Sequence, residues 1–162
     1  HALGAYDPED LTVEYKEGIF VGYRWADKQQ IRPLFAFGHG LSYTEFTYGE
    51  AKAAKASMKE NGTLKVSVDV TNTGAVAGKE VIQLYIGDNE ASVVRPVKEL
   101  KGFRKIALEP GQKQTVTFEI EPEMLKFFDA EKHDWVLEKG KFTAYIGSAS
   151  DDIRTQIEFD VI

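Results

Sequence analysis

Two pairs of carboxylates stand close in the sequence, Asp151 with Asp152 and Glu119 with Glu121. Carboxyls roughly 5 to 9 Å apart across a pocket can divide acid and base work on a glycosidic bond. The first pair falls at an expected turn and the second points outward from an expected strand, so solvated surface charge is the simpler reading of both. The three histidines, His1, His39 and His133, are far apart and lack the HxxxH spacing that sets two imidazoles on one helix face. The chain has no cysteine, which removes disulfides and thiolate metal sites alike. The glycine-rich FGHGLS (37–42) lacks the lysine of a phosphate-binding loop and neither follows a parallel strand nor opens a helix; it reads as a tight backbone bend. Ser42 has Gly40 two residues before it but Thr44 two residues after, so it is no nucleophile elbow. Asn61-Gly62-Thr63 matches the acceptor pattern for N-glycosylation and equally suits a turn. Trp135, Tyr145 and Tyr85 offer flat rings to the apolar face of a sugar, although cross-strand packing uses the same residues more often. No catalytic, cofactor-binding or metal-ligating residue is assigned, and no cofactor is expected.

The elements that must hold these residues are strands. LKVSVDV places Leu64, Val66, Val68 and Val70 on one face and Lys65, Ser67 and Asp69 on the other. The turn-forming stretch TNTGAVAGKE, with Asn72, Gly74 and Gly78, then leads into the apolar run VIQLYIG. Pro96 cannot donate to a ladder and belongs on an edge or in a connection, with a short strand from about Leu100 to Ile106 after it. Pro110-Gly111 marks a turn before QTVTFEIEP, where Val116, Phe118 and Ile120 point inward. PEMLKFF (122–128) suits one helical turn at a corner. Gly140 lies between two β-rich runs and predicts a hairpin, in which Phe142, Ala144 and Ile146 alternate with Lys141, Thr143 and Tyr145. A last strand alternates through Ile153, Thr155, Ile157, Phe159 and Val161. At least six strands beyond residue 60, with turn residues every 8 to 12 positions, predict an all-β fold, an antiparallel β-sandwich. EAKAAKASMKENG (50–62) has helix-forming composition but no apolar stripe; an edge strand or a loop fits it equally.

Residues 1–43 differ. EGIFVGYRWADKQQIRPLFAFGHGLSY spreads aromatic side chains among glycines with neither a helical nor a strand period. It reads as a long connection that needs another surface to cover it. The expectation is partial fold-back near Phe35 to Phe46, where FGHG allows a bend, with looser structure toward His1.

With 162 residues there is room for one domain and an extension. Acidic residues outnumber basic ones by 26 to 20, and without a clustered basic face this charge argues against a nucleic-acid partner. No apolar run is long enough to span a bilayer, so no membrane partner is expected. The opening HALGAYDPED lacks the basic and apolar regions of a signal peptide and reads as mid-protein sequence, which places the natural N-terminus upstream.

The phrase EGIFVGYRWADKQQIRPLFAFGHGLSYTEF is similar to the long connector of glycoside hydrolase family 3 β-glucosidases that leads out of their α/β-sandwich domain. VTNTGAVAGKEVIQLYIGD, ASVVRPVKELKGFRKIALEPGQ and WVLEKGKFTAYIGSASDDIR resemble the same family's C-terminal fibronectin type III-like domain. Ala36 and Val94 depart from the pattern, each standing where proline is frequent. The resemblance implies an immunoglobulin-like, fibronectin type III-like antiparallel β-sandwich over residues 44–162, with an N-terminal extended connector over residues 1–43. It also implies a periplasmic or secreted parent that hydrolyses β-glucosides with retention, using catalytic carboxylates on domains outside this chain. The function expected here is a structural accessory module whose partners are the catalytic domains of the same parent chain, docked through Phe20, Tyr23, Arg24, Trp25, Phe35 and Phe37. The alternatives are a carbohydrate-binding β-sandwich module and a generic interaction sandwich. In isolation the uncovered connector could also be buried by self-association.

Overall fold

In a computed structural model, which describes residues 6, 7, 9 and 11–162, thirteen strands and one α-helix follow in order. They are β1 (Tyr6–Asp7), β2 (Thr12–Val13), α1 (Tyr23–Gln29), β3 (Phe46–Tyr48), β4 (Lys52–Ala53), β5 (Ser57–Met58) and β6 (Leu64–Asn72). There follow β7 (Gly78–Asp88), β8 (Glu99–Leu108), β9 (Lys113–Ile120), β10 (Phe127–Asp129), β11 (Asp134–Val136), β12 (Gly140–Ala149) and β13 (Asp152–Val161). One sheet runs β5-β13-β12-β7-β8. The other is built on β6, with β9 along one side and the short β3 and β4 along the other.

The alternation along β6 decides the core. Leu64, Val66, Val68 and Val70 are all buried, and they meet Ile82, Leu84 and Ile86 of β7 and Phe142, Ala144 and Ile146 of β12. The expected inward set of β9, Val116, Phe118 and Ile120, joins them. Phe142 stacks on Phe159 of β13 with ring centroids 5.8 Å apart. Each such side chain contributes roughly 1.5 to 3 kcal/mol on full burial, set against an ordering cost of similar total size.

The turn after β6 carries the chain from one sheet to the other, and Asn72 does more there than tolerate a bend. Its side chain is buried, its Nδ2 donates to the carbonyls of Val76 and Leu108, and its Oδ1 accepts from Thr44 Oγ1 and the Gly74 N–H. All of that amide's capacity is used within the protein, which makes its burial affordable.

Three local expectations need correction or resolution. No hairpin forms across Gly140: β10 pairs with β11, and β12 pairs with β13. Gly140 opens β12 at φ +144°, where the chain leaves the small hairpin for the large sheet. The ambiguous stretch 50–62 supplies edge strands, β4 on β6 and β5 parallel to β13, because two-residue pairings need no apolar stripe. Finally, residues 1–43 contain a helix, α1, whose seven residues are too few to show a period in the sequence.

Candidate functional site

The outer face of the five-stranded sheet, turned away from the core, is covered by the chain's own N-terminal segment. Phe20 is buried, with the Lys28 ammonium 3.7 Å from its ring centroid. Gly22, at φ +63°, turns the backbone into α1, and Gln30 in the left-handed region ends it. Tyr23 sets its ring edge-on to Tyr85 of β7 at 5.6 Å, and its hydroxyl accepts from the Leu100 N–H at 2.8 Å. Arg24 pairs with Glu99 at 3.1 Å, and Asp27 reaches the buried Lys98 at 2.6 Å. Trp25 is half-buried.

Farther on, Ala36 is buried and the Phe37 carbonyl accepts from the Ser150 N–H at 2.9 Å. Gly38 lies so close to the sheet that an added Cβ would stand 2.3 Å from Gln83 Nε2, at a φ of +86° that already favours glycine. Under this cover Gln83 and Tyr85, one face of β7, are buried as fully as the core residues. Burial pushes the Tyr85 phenol well up, and the protonated hydroxyl donates to Gln83 Oε1.

The other side of the segment faces outward. Leu34 is 91% exposed and Leu41 95%, Tyr43 is fully exposed, Phe35 is largely so and Phe37 is half exposed. Within ten residues, Leu34, Phe35, Leu41 and Tyr43 thus leave most of their surface exposed, a concentration of apolar groups that marks a candidate interaction surface. Of the six docking candidates, then, Phe20 is buried beneath Lys28, Tyr23 turns to this chain's own sandwich and Arg24 is held by Glu99. Trp25 is intermediate, Phe35 remains open beside His39, and Phe37 is half exposed with its ring 5.3 Å from that of Tyr23. Sequence reasoning passed over Leu34 and Leu41 and the clamp between Asp27 and Lys98, and counted Tyr43 among the segment's aromatics but not among the docking candidates; Gln83, a polar residue inside an apolar run, was the one available signal of a covered outer face.

The chemical candidates do not converge. Asp152 is engaged by Arg154 at 2.7 Å and by Ser148, Asp151 is exposed, and Glu119 pairs with Lys65 at 3.0 Å across β6 and β9 beside an exposed Glu121. His39 lies against Phe35, His133 sits at φ +53° in the β10–β11 turn, and His1 is outside the described residues. Among the described residues no three His, Asp or Glu come together as a metal site. Asn61 is exposed in a turn closed by the Gly62 N–H and the Lys59 carbonyl. Tyr145 and Tyr85 are cross-strand neighbours with Tyr85 buried, whereas Trp135 stands on β11 against Phe128, so the three rings form no single row.

Two facing sheets with this strand order define a fibronectin type III-like β-sandwich, and the family model for the fibronectin type III-like domain matches residues 80–150. The β-glucosidase BoGH3A of Bacteroides ovatus is 52% identical over 158 residues, which are 98% of this chain and 21% of that protein. The thermostable β-glucosidase B of Acetivibrio thermocellus is 50% identical over 90% of this chain and 19% of its own length. A crystal structure of the Kluyveromyces marxianus β-glucosidase superposes with a TM-score of 0.86 at 43% identity, covering 93% of this chain and 18% of that one. The chain therefore corresponds, over nearly its whole length, to the C-terminal, fibronectin type III-like portion of glycoside hydrolase family 3 β-glucosidases. It spans about a fifth of the length of these curated relatives.

Proposed function

We propose that this chain is a structural accessory module of a longer β-glucosidase, a retaining enzyme whose catalytic carboxylates lie on other domains. Residues 1–43 act as the connector from the preceding domain and residues 44–162 as the sandwich. The connector lies between two surfaces. One of its sides is fixed to the sandwich by Tyr23, Arg24 and Asp27, with Phe37 packed against Tyr23, and the other presents Leu34, Phe35, Leu41 and Tyr43 to the catalytic domains of the same parent. The carrying observation is that second side: large apolar groups left wet forgo about 1.5 to 3 kcal/mol each relative to full burial. A covering domain recovers that term.

The test uses the upstream portion of the parent, produced separately, and this chain added to it. The expected result is a stable complex, weakened at least about tenfold by the triple substitution Leu34→Ser, Phe35→Ser, Leu41→Ser, with hydrolysis of an aryl β-glucoside by the upstream portion and none by this chain alone. No complex, or a variant that binds as tightly, contradicts the reading.

A further inference from the structure

A second surface lies at the other end of β7. The groove beside Leu41 and Ser42 includes Lys79 of β7, whereas Glu99, which lines the second surface, pairs with Ile86, seven residues or about 23 Å farther along the strand. This is a cleft of about 700 Å³ between residues 92–96, the β10–β11 hairpin and the segment around Ile19 and Arg24. That volume falls within the range of small-molecule sites.

Its walls have two characters. On one side Phe128 and Trp135, a cross-strand pair at ring centroids 5.9 Å and an interplanar angle of 73°, are both more than half exposed. The edge-on contact fixes the indole through its neighbour. Val93 and Val94 extend the apolar lining, both exposed. On the other side the lining is charged, yet every cation in it already has an anion. Arg24 is held by Glu99, Arg95 by Asp88 at 3.0 Å and by Glu99, Lys126 by Glu123 at 3.3 Å, and Lys132 by Asp129 at 2.8 Å.

Neutralised pairs are poor hosts for a further charge, because a phosphate or carboxylate must displace a carboxylate already in place. They still offer spare N–H donors and carboxylate lone pairs, which suit the vicinal hydroxyls of an uncharged polyol. An exposed indole beside such groups suits a ring with one apolar face and a polar rim. A β-linked glucose unit has that form, since its hydroxyls are equatorial and its axial C–H bonds make flat apolar faces.

We infer that this cleft is a secondary binding site for a neutral β-linked gluco-oligosaccharide, with Trp135 as the stacking platform and the Arg95–Glu99 pair as the hydrogen-bonding wall. The choice of β-linked glucose rests on the functional reading above. The cleft and the docking patch are different surfaces, so the two ideas fail separately.

The test is isothermal titration calorimetry of the 162-residue chain with cellohexaose. Saturable binding with a dissociation constant on the order of 1 mM is expected, weakened at least about tenfold in Trp135→Ala and kept within about threefold in Trp135→Tyr, which retains a flat ring. In case Trp135→Ala disturbs the hairpin, Val94→Asp places a charge on the facing wall without touching β10 or β11; about fivefold weaker binding is expected. No heat of binding at about ten times the expected constant, or equal affinity in Trp135→Ala and Val94→Asp, overturns the inference. The complex between this chain and the upstream portion is measured without sugar, so a failed titration leaves the docking reading untouched.

Discussion

Glu138 shows how a single carboxylate can position a loop. Its two oxygens accept from the Ser92 hydroxyl and the Ser92 N–H, and these hydrogen bonds hold its carboxyl below the usual glutamate range. A group whose pKa is depressed on folding adds stability that is present above its unfolded pKa, about 4.3, and is lost as pH falls through the lower folded value. The loop at residues 92–96 should therefore loosen only in acid. Titration of the Glu138 side-chain carbon by NMR should give a midpoint below the ordinary glutamate value in this chain and one nearer to it in Ser92→Ala. An unchanged midpoint in that variant contradicts the assignment. Nothing in the sequence announced this contact, because Ser92 and Glu138 are 46 positions apart and each reads as ordinary surface. The same is true of Asn72, whose type indicated a turn but whose four hydrogen bonds depend on strands far along the chain. Residue identity carries conformational preference, whereas the partner of a buried polar group is a property of the assembled fold.

At the scale of elements, the strands with one buried face were legible because burial writes a period of two into the sequence. β6 and β9 show it directly, with every inward residue named from alternation in the core, and β13 shows it over Ile157, Phe159 and Val161. β7 was legible as a strand but not as one covered on both sides, and α1 was not legible at all. A seven-residue helix draws little stability from its own hydrogen bonds and depends on what it touches. Its attachments are the Tyr23 ring on Tyr85, the Tyr23 hydroxyl on the Leu100 N–H, and the ion pair from Asp27 to Lys98. Lys98 is buried, so removing its partner leaves an uncompensated charge, at a cost of about 3 to 5 kcal/mol for a fully buried pair and less here because Asp27 keeps some contact with water. Asp27→Ala should speed amide exchange across residues 23–30 at least about tenfold and leave β6 and β9 unchanged. Adding Lys98→Met should restore much of the protection, since an apolar side chain needs no partner. Unaltered exchange in α1 after Asp27→Ala would mean that the aromatic contacts alone hold the helix.

At the scale of the whole molecule, the two sides of the segment before the sandwich differ: the attachment lies at Tyr23 to Gly38, rather than only at the fold-back expected near Phe35 to Phe46. The sandwich covers one side of residues 20–38, and the opposite side, continuing to Tyr43, stays open. The aromatic composition of that segment signalled a need for burial, but composition cannot say which side the sandwich takes; the placement of Tyr23 against Tyr85, and the exposure of Leu34 and Leu41, does so. The two β-glucosidase relatives are about five times longer than this chain, so a parent of that size, as proposed above, has ample protein to cover the open side. The most direct measurement is hydrogen exchange on residues 31–43, compared between this chain alone as a demonstrated monomer and the same residues within the intact parent. The strands β6 and β9 serve as an internal reference that should exchange alike in both. The docking account predicts that residues 31–43 exchange rapidly in the isolated chain, in contrast to those strands, and slow by at least about tenfold in the parent. Equal exchange of residues 31–43 in the two proteins would contradict it.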